Sequence, residues 1–226
     1  MARARRLPAS DRRRQIIESA REVFAAQSYA KVGTADLAKA VGVSEPALYR
    51  YFSGKKELFL ATLQSTAPKL LEIWQGIASD VEDPLETLRS IGVHYYDHIQ
   101  SHSGNMKLQF QAVSEADDEE IREALHENFV SFVRFVEETI DEGKRRGSVR
   151  RDVDSQLVAW QFLGIGLTLD LMHLLGFGSE LDRGKMEQWG RLYLETLRAS
   201  RGRTGVGPGV RGVAELVAGE SWPPEA

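Results

Sequence analysis

Residues 34 to 58, Thr-Ala-Asp-Leu-Ala-Lys-Ala-Val-Gly-Val-Ser-Glu-Pro-Ala-Leu-Tyr-Arg-Tyr-Phe-Ser-Gly-Lys-Lys-Glu-Leu, read as two short helices broken by a glycine turn, with a basic helix start behind them. Thr34 is a candidate cap for the first helix, whose apolar face is Leu37, Ala38 and Val41. Gly42 ends it, because a left-handed residue costs glycine least. Ser44 is the expected cap of the second helix. Pro46 is tolerated in the first turn, where the missing amide has no helical partner. Leu48 and Phe52, four residues apart, share an inward face, which leaves Tyr49 and Arg50 pointing outward.

The outward face has the chemistry of a helix that enters the DNA major groove. Its leading side chains, Ser44, Pro46 and Ala47, are short enough for the backbone to approach. Arg50 can donate two hydrogen bonds to guanine, and the Ala47 methyl can meet a thymine methyl; a good bidentate pair is worth about 1–3 kcal/mol of discrimination. Glu45 can accept from cytosine or sit over the dipole of its own helix start. Tyr49 and Tyr51 can hydrogen-bond phosphates. Lys55 and Lys56 open the next helix with the wrong charge for the macrodipole, a penalty that a phosphate landing there would reverse.

The order Gly-Val-Ser-x-x-x-Leu-Tyr-x-x-Phe-x-x-Lys-x-x-Leu, from Gly42 to Leu58, resembles the DNA-binding signature of the tetracycline-repressor (TetR) family of bacterial transcription regulators. The likeness covers residues 10 to 60, about a quarter of the chain. It implies an all-α homodimer: a three-helix helix-turn-helix domain binds a palindromic double-stranded DNA operator, and a larger helical bundle binds a small molecule that releases the DNA. Carried over by position, Thr34, Ser44, Glu45, Pro46, Ala47, Tyr49, Arg50, Tyr51 and Lys55 become the candidate DNA contacts. The sequence departs from the family at Gln27-Ser28-Tyr29, where Ser28 replaces the usual glycine of a Gly-Tyr or Gly-Phe turn.

Charge along the chain agrees with this division. Residues 1–60 hold 12 lysines and arginines against 6 acidic residues, whereas residues 61–226 hold 17 against 27, so the front suits a polyanion and the back does not. Arg3, Arg5 and Arg6 read as a flexible basic arm over residues 1–9, able to reach a minor groove or simply solvated. No apolar stretch follows them, so a secretory signal is not expected. The 226 residues contain no cysteine, hence no disulfide or thiolate metal site, and a cytoplasmic location is expected. There is no Gly-rich phosphate loop, Gly-x-Ser-x-Gly elbow or cysteine nucleophile, so an enzyme is not expected. A helical dimeric adaptor would explain the C-terminal helices but not the charge division.

Apolar periodicity places helices at residues 11–27 with Ser10 as cap, from Lys55 through to Trp74, 84–100, 106–113, 117–143, 154–175 and 182–199. No strand pattern is found. The final 26 residues, 201–226, have 6 glycines and 3 prolines and are expected to be disordered. Leu157 to Phe177 is apolar all round, so it must be buried on more than one side. One side is expected to pack on its own domain, residues 61–200, and another on the same helix of a second chain, with the 182–199 helix completing a four-helix interface. Leu163, Gly164, Leu167, Leu171, Leu174, Leu175, Trp189 and Tyr193 are the candidate interface residues. A membrane span is the rival reading, and Asp170, Gln161 and His173 argue against it. The resemblance also implies a ligand cavity among these helices. Trp74, Tyr95, Tyr96, Phe110, Phe129, Phe132 and Trp160 are candidate walls, and Gln109, Asp170 and His173 candidate polar contacts, since a buried polar atom needs a partner. His94, His98 and His102, at i, i+4 and i+8, have metal-ligand spacing but no second-shell partner that sequence can name, so no metal or other cofactor is expected. The combined expectation is a repressor released by a small, largely apolar effector.

Overall fold

In the computed structural model, residues 8–101 and 104–199 are described, and within them the chain is helical throughout, with a lone antiparallel bridge between Val149 and Arg198. Arg3, Arg5, Arg6, His102 and the 201–226 tail lie outside the described residues. The first three helices are α1 (Ala9–Ala26), α2 (Thr34–Ala40) and α3 (Glu45–Leu48). Gly42 has φ 71° and closes α2 through two backbone bonds, Gly42 N–H to Lys39 O at 3.1 Å and Val43 N–H to Ala38 O at 2.9 Å. This reversal sets α3 across α2, with Leu37, Leu48 and Phe52 buried beneath.

Capping differs from expectation at three places. Ser10 lies inside α1, which Pro8 precedes without a side-chain cap. Thr34 is the first residue of α2, and the N–H of Gly33 instead donates to the Asp36 carboxylate at 3.3 Å. Ser44 occupies the cap position of α3, but its hydroxyl caps nothing. Ser28 has φ −63° and ψ 144°, a conformation open to any residue, so the turn into the short 3-10 helix Tyr29–Lys31 does not require glycine.

The expected single helix from Lys55 to Trp74 is two: α4 (Lys55–Gln64) and α5 (Thr66–Asp80). Pro68 has no N–H to offer Gln64 and its ring crowds that carbonyl, so the helix cannot run straight through. Around the joint, the hydroxyls of Thr62, Ser65 and Thr66 donate to the carbonyls of Phe59, Thr62 and Thr62. The chain continues through α6 (Pro84–Ser101), α7 (Gly104–Ser114), α8 (Glu119–Arg146), α9 (Ser155–Leu174) and α10 (Arg183–Leu197). Asp118, Asp154 and Asp182 cap α8, α9 and α10 by accepting main-chain N–H bonds. Left-handed Gly147, φ 78°, ends α8 three residues beyond the expected position.

The front helices do not close their own core. Ile16, Phe24, Leu37, Leu48, Phe52, Leu58 and Phe59 pack together with Leu108 and Ala112 of α7 and Ile121 and Leu125 of α8. Polar ties cross the same seam. Gln111 Nε2 donates to Phe24 O at 2.8 Å, its Oε1 accepts from Tyr29 N–H at 3.1 Å, and Asn128 Nδ2 donates to Leu63 O at 3.0 Å. A second cluster, around Trp74, Leu88, Ile91, Phe132, Val136 and Leu163, joins α5, α6, α8 and α9.

Helix α8 meets the loop after it through Gly143, whose ideal Cβ would collide with Val149 Cγ2 and lie 3.2 Å from its Cβ. Val149 is fully buried and cannot swing away. Gly143→Ala is therefore expected to cost about 1–3 kcal/mol despite alanine's better helix propensity. Urea denaturation checks this, and an unchanged or raised midpoint would contradict it.

Candidate nucleic-acid face and ligand cavity

Around α3 the structure brings the sequence-derived contacts onto one edge. Arg50 is exposed and has no hydrogen-bond partner among the described residues, and Tyr49 is 50% exposed. Ser44 and Pro46 are exposed beside them, Ala47 is half-buried, and Tyr51 is half-buried against the front core. Thr34 and Glu45 are engaged with each other: the Thr34 hydroxyl donates to Glu45 Oε1 at 2.5 Å, and Tyr49 Oη reaches Thr34 Oγ1 at 3.5 Å. The Glu45 carboxylate thus ties the start of α3 to the start of α2.

The two lysines at the start of α4 have partners within the fold. Lys55 Nζ donates to Tyr29 O at 2.9 Å and lies 4.4 Å above the Tyr29 ring. Lys56 bridges to Asp118 at 2.7 Å and Glu120 at 2.8 Å, bonds that hold its pKa well above the usual lysine value. The helix start itself receives Glu57, which accepts from Ser53 N–H at 2.6 Å and lies 3.7 Å from Arg13. The unfavourable charge at this helix start is thus answered by the protein's own carboxylates, and it does not by itself require a phosphate.

Between α5, α6, α8 and α9 lies a cavity of about 100 Å³. Trp74, Tyr95, Gln109, Phe129, Phe132 and Asp170 line it, as do Leu70, Gly92, Phe162, Ile165 and Gly166, none of which was an expected cavity wall. A signal for Phe162 and Gly166 existed, since they stand eight and four residues before Asp170 and so fall near its helical face, whereas Ile165, five before it, does not. The other four candidates lie elsewhere. Tyr96 is buried in a third cluster with its hydroxyl donating to Leu181 O at 3.3 Å, Phe110 packs against that cluster, His173 is half-buried near the end of α9, and Trp160 is 47% exposed on the outer side of α9. Helical period assigns a residue to a face, but not to a cavity.

Asp170 is 6% exposed, and the Tyr95 hydroxyl lies 2.8 Å from both of its oxygens. Burial raises the Asp170 pKa to about 6, and the hydrogen bond from Tyr95 opposes that rise. Burial and the facing carboxylate push the Tyr95 phenol well above its ordinary value. The Trp74 indole N–H, also buried, has no partner among the described residues. The cavity therefore holds an acceptor-rich carboxyl and an unused donor against aromatic walls.

The outer sides of α9 and α10 carry exposed Leu157, Trp160, Leu167, Leu171, Leu175 and Leu192. Gly164 is half-buried on the same stripe. Leu163 belongs to the protein's own core, and Tyr193 packs on it with its hydroxyl donating to Val158 O at 2.7 Å, while Leu174 and Trp189 lie partly buried against the third cluster. Helix α9 has the length and mean hydropathy, 1.4, of a membrane-crossing helix; here Val158, Ala159, Leu163, Leu169 and Asp170 face inward. Of the three histidines, His94 is exposed and His98 half-buried, and among the described residues no group of three potential ligands is arranged around a metal position.

The raised pKa of Asp170 has a defined sign. Its folded value lies above its unfolded value, so ionisation disfavours the fold, and stability falls as pH rises from about 4 to about 6 and then levels. The span corresponds to roughly 3 kcal/mol. Asp170→Asn cannot ionise, so its stability relative to the parent should climb across this window and stay constant above it. Urea midpoints at pH 4, 5, 6 and 7 measure this, and parallel curves would rule it out.

Residues 16–62 match the family model described as bacterial regulatory proteins, tetR family. The HTH-type transcriptional activator FasR of Mycolicibacterium smegmatis is 35% identical over 109 residues, which is 48% of this chain and 50% of FasR, so the match spans about half of that relative. Among solved structures, Bacillus subtilis FadR in complex with stearoyl-CoA superposes with a TM-score of 0.69 at 17% identity, covering 84% of this chain and 99% of FadR. A transcriptional regulator from Saccharomonospora viridis in complex with choline gives 0.69 at 21%, covering 85% and 100%. These two share the fold. With the reading motif on an exposed edge, residues 16–62 carry a domain that matches the DNA-binding domain of the tetR family of bacterial regulatory proteins, and the chain as a whole shares the fold of the solved regulators.

Proposed function

We propose that this regulator is a cytoplasmic repressor without catalytic activity that binds a palindromic operator as a homodimer and releases it when a small effector fills the cavity. The observation that carries the reading is that α7 and α8 serve both ends at once. On α7, Gln109 lines the cavity while Leu108 and Ala112 complete the front core and Gln111 bonds the backbone of Phe24 and Tyr29. On α8, Phe129 and Phe132 line the cavity while Ile121 and Leu125 lie in that same core. An effector that shifts these helices must shift α1 and α4, and with them the spacing of two reading edges about one DNA turn, ~34 Å, apart.

Exposed leucines on α9 support self-association, since Leu157, Gly164, Leu171 and Leu175 fall on one stripe and would be covered by the same stripe of a second copy. That FadR was solved with stearoyl-CoA and the Saccharomonospora regulator with choline supports effector control in this fold, with chemically different effectors. A helical dimeric adaptor would use α9 and α10 equally well. It leaves the exposed Arg50 and the tetR-family reading motif without a purpose.

DNA binding is tested on the fragment upstream of the chain's own gene. Affinity should fall with salt at a log–log slope of about −0.9 per phosphate contact. Arg50→Ala should weaken one base-pair position per half-site by about 1–3 kcal/mol, and Lys55→Ala should weaken all sequences alike. A uniform loss from both variants would refute this division of roles. For the dimer, Leu171→Glu adds a charge to a side chain that is already exposed in the single chain, so the helical circular dichroism should persist while sedimentation shifts from dimer to monomer. A folded variant that still sediments as a dimer would remove α9 from the interface.

A further inference from the structure

We propose that the cavity is built for a small organic cation, an alkyl- or quaternary ammonium of a few heavy atoms, received by Asp170 within a cage of aromatic rings. The inference rests on the effector-controlled reading and supplies the charge of the effector. None of the fifteen lining residues is a lysine, arginine or histidine, and Asp170 is the one carboxylic acid among them. A buried carboxylate needs a compensating charge or several donors, and a carboxylate has about four acceptor positions. The Tyr95 hydroxyl brings a single proton, placed 2.8 Å from both oxygens. Asp170 lies within α9, so its own main-chain amide is spent on the helix.

The walls suit the same guest. Trp74, Tyr95, Phe129, Phe132 and Phe162 present rings to the space, with Trp74 centred 5.2 Å from Phe132 and 6.4 Å from Phe162. Ring faces attract cations, more strongly where water is excluded. At about 100 Å³ the space is smaller than the ~150 Å³ engineered cavity that admits benzene, so the guest is compact. A carboxylate or phosphate guest would meet Asp170 as a like charge with no basic side chain among the lining residues. The unpartnered Trp74 N–H and the Gln109 amide are neutral donors; they would serve an oxygen on the guest but cannot compensate the carboxylate.

Calorimetric titration of the full chain at neutral pH tests this with matched probes. Tetramethylammonium should bind at least about tenfold more tightly than tert-butanol, which has the same number of heavy atoms, and n-butylammonium should exceed n-butanol similarly, with no binding of butanoate. Asp170→Asn, which keeps the shape, should cut each cation's advantage over its neutral partner at least about threefold, leaving the part that the rings supply. Butanoate or tert-butanol binding as tightly as the cation, a preference undiminished by Asp170→Asn, or no uptake of either cation would overturn the proposal. The ranking in the unmodified chain decides the matter even if the variant fails to fold. Gel-shift assays run in parallel separate the two readings: a chain that takes up cations but binds no duplex sinks the regulator mechanism alone, and one that binds duplex but takes up no cation sinks this inference alone.

Discussion

Three short helices at the front of this chain have more apolar surface than they can hide from one another, and everything behind them is arranged around that deficit. Small units bury too little of their surface to be self-sufficient. Here Phe24, Phe52 and Phe59 are completed by Leu108, Ala112, Ile121 and Leu125, which arrive from α7 and α8. The seam is reinforced by Gln111, Asn128 and the Lys56 bridges, and these bonds join a loop or helix of the front to a helix of the body. The reading edge is consequently held by packing that the body can alter, rather than tethered to it by a free linker.

At the other end of α7 and α8 the constraint is electrical. Asp170 is kept in an apolar, ring-walled space with one phenol for company, a placement whose cost appears in its raised pKa. Buried groups of this kind persist where a second state relieves them. Cavity and seam share the same two helices, so under the proposed mechanism occupation of one and movement at the other would be linked in free energy, in both directions.

Much of this was legible from residue types. Gly42 as the left-handed stop, Leu48 and Phe52 as inward residues, and Arg50 and Tyr49 as outward ones all follow from local rules, and local geometry obeys them. The TetR-like order from Gly42 to Leu58 carried the fold because it encodes packing and recognition together. Other features depend on long-range partners that sequence does not name. Thr34 reads as a cap, but its hydroxyl is claimed by Glu45, eleven residues away. Lys56 reads as a misplaced charge, and its carboxylates lie more than sixty residues further on. Helix α9 is apolar all round, so periodicity cannot rank its faces; Leu163 turns inward and Trp160 outward for reasons that reside in α8 and α6.

Where Pro68 and three hydroxyl residues divide what would have been one long rod, the body and the front gain a joint at Ser65. A continuous rod would behave as a lever, turning any tilt at Trp74 into a larger swing at Lys55. With the rod cut, α4 and α5 are separate helices, and α4 packs along α1, α7 and α8 as well as meeting α5. Any signal that the proposed mechanism passes between the two ends would then travel by side-by-side packing along the seam rather than by leverage.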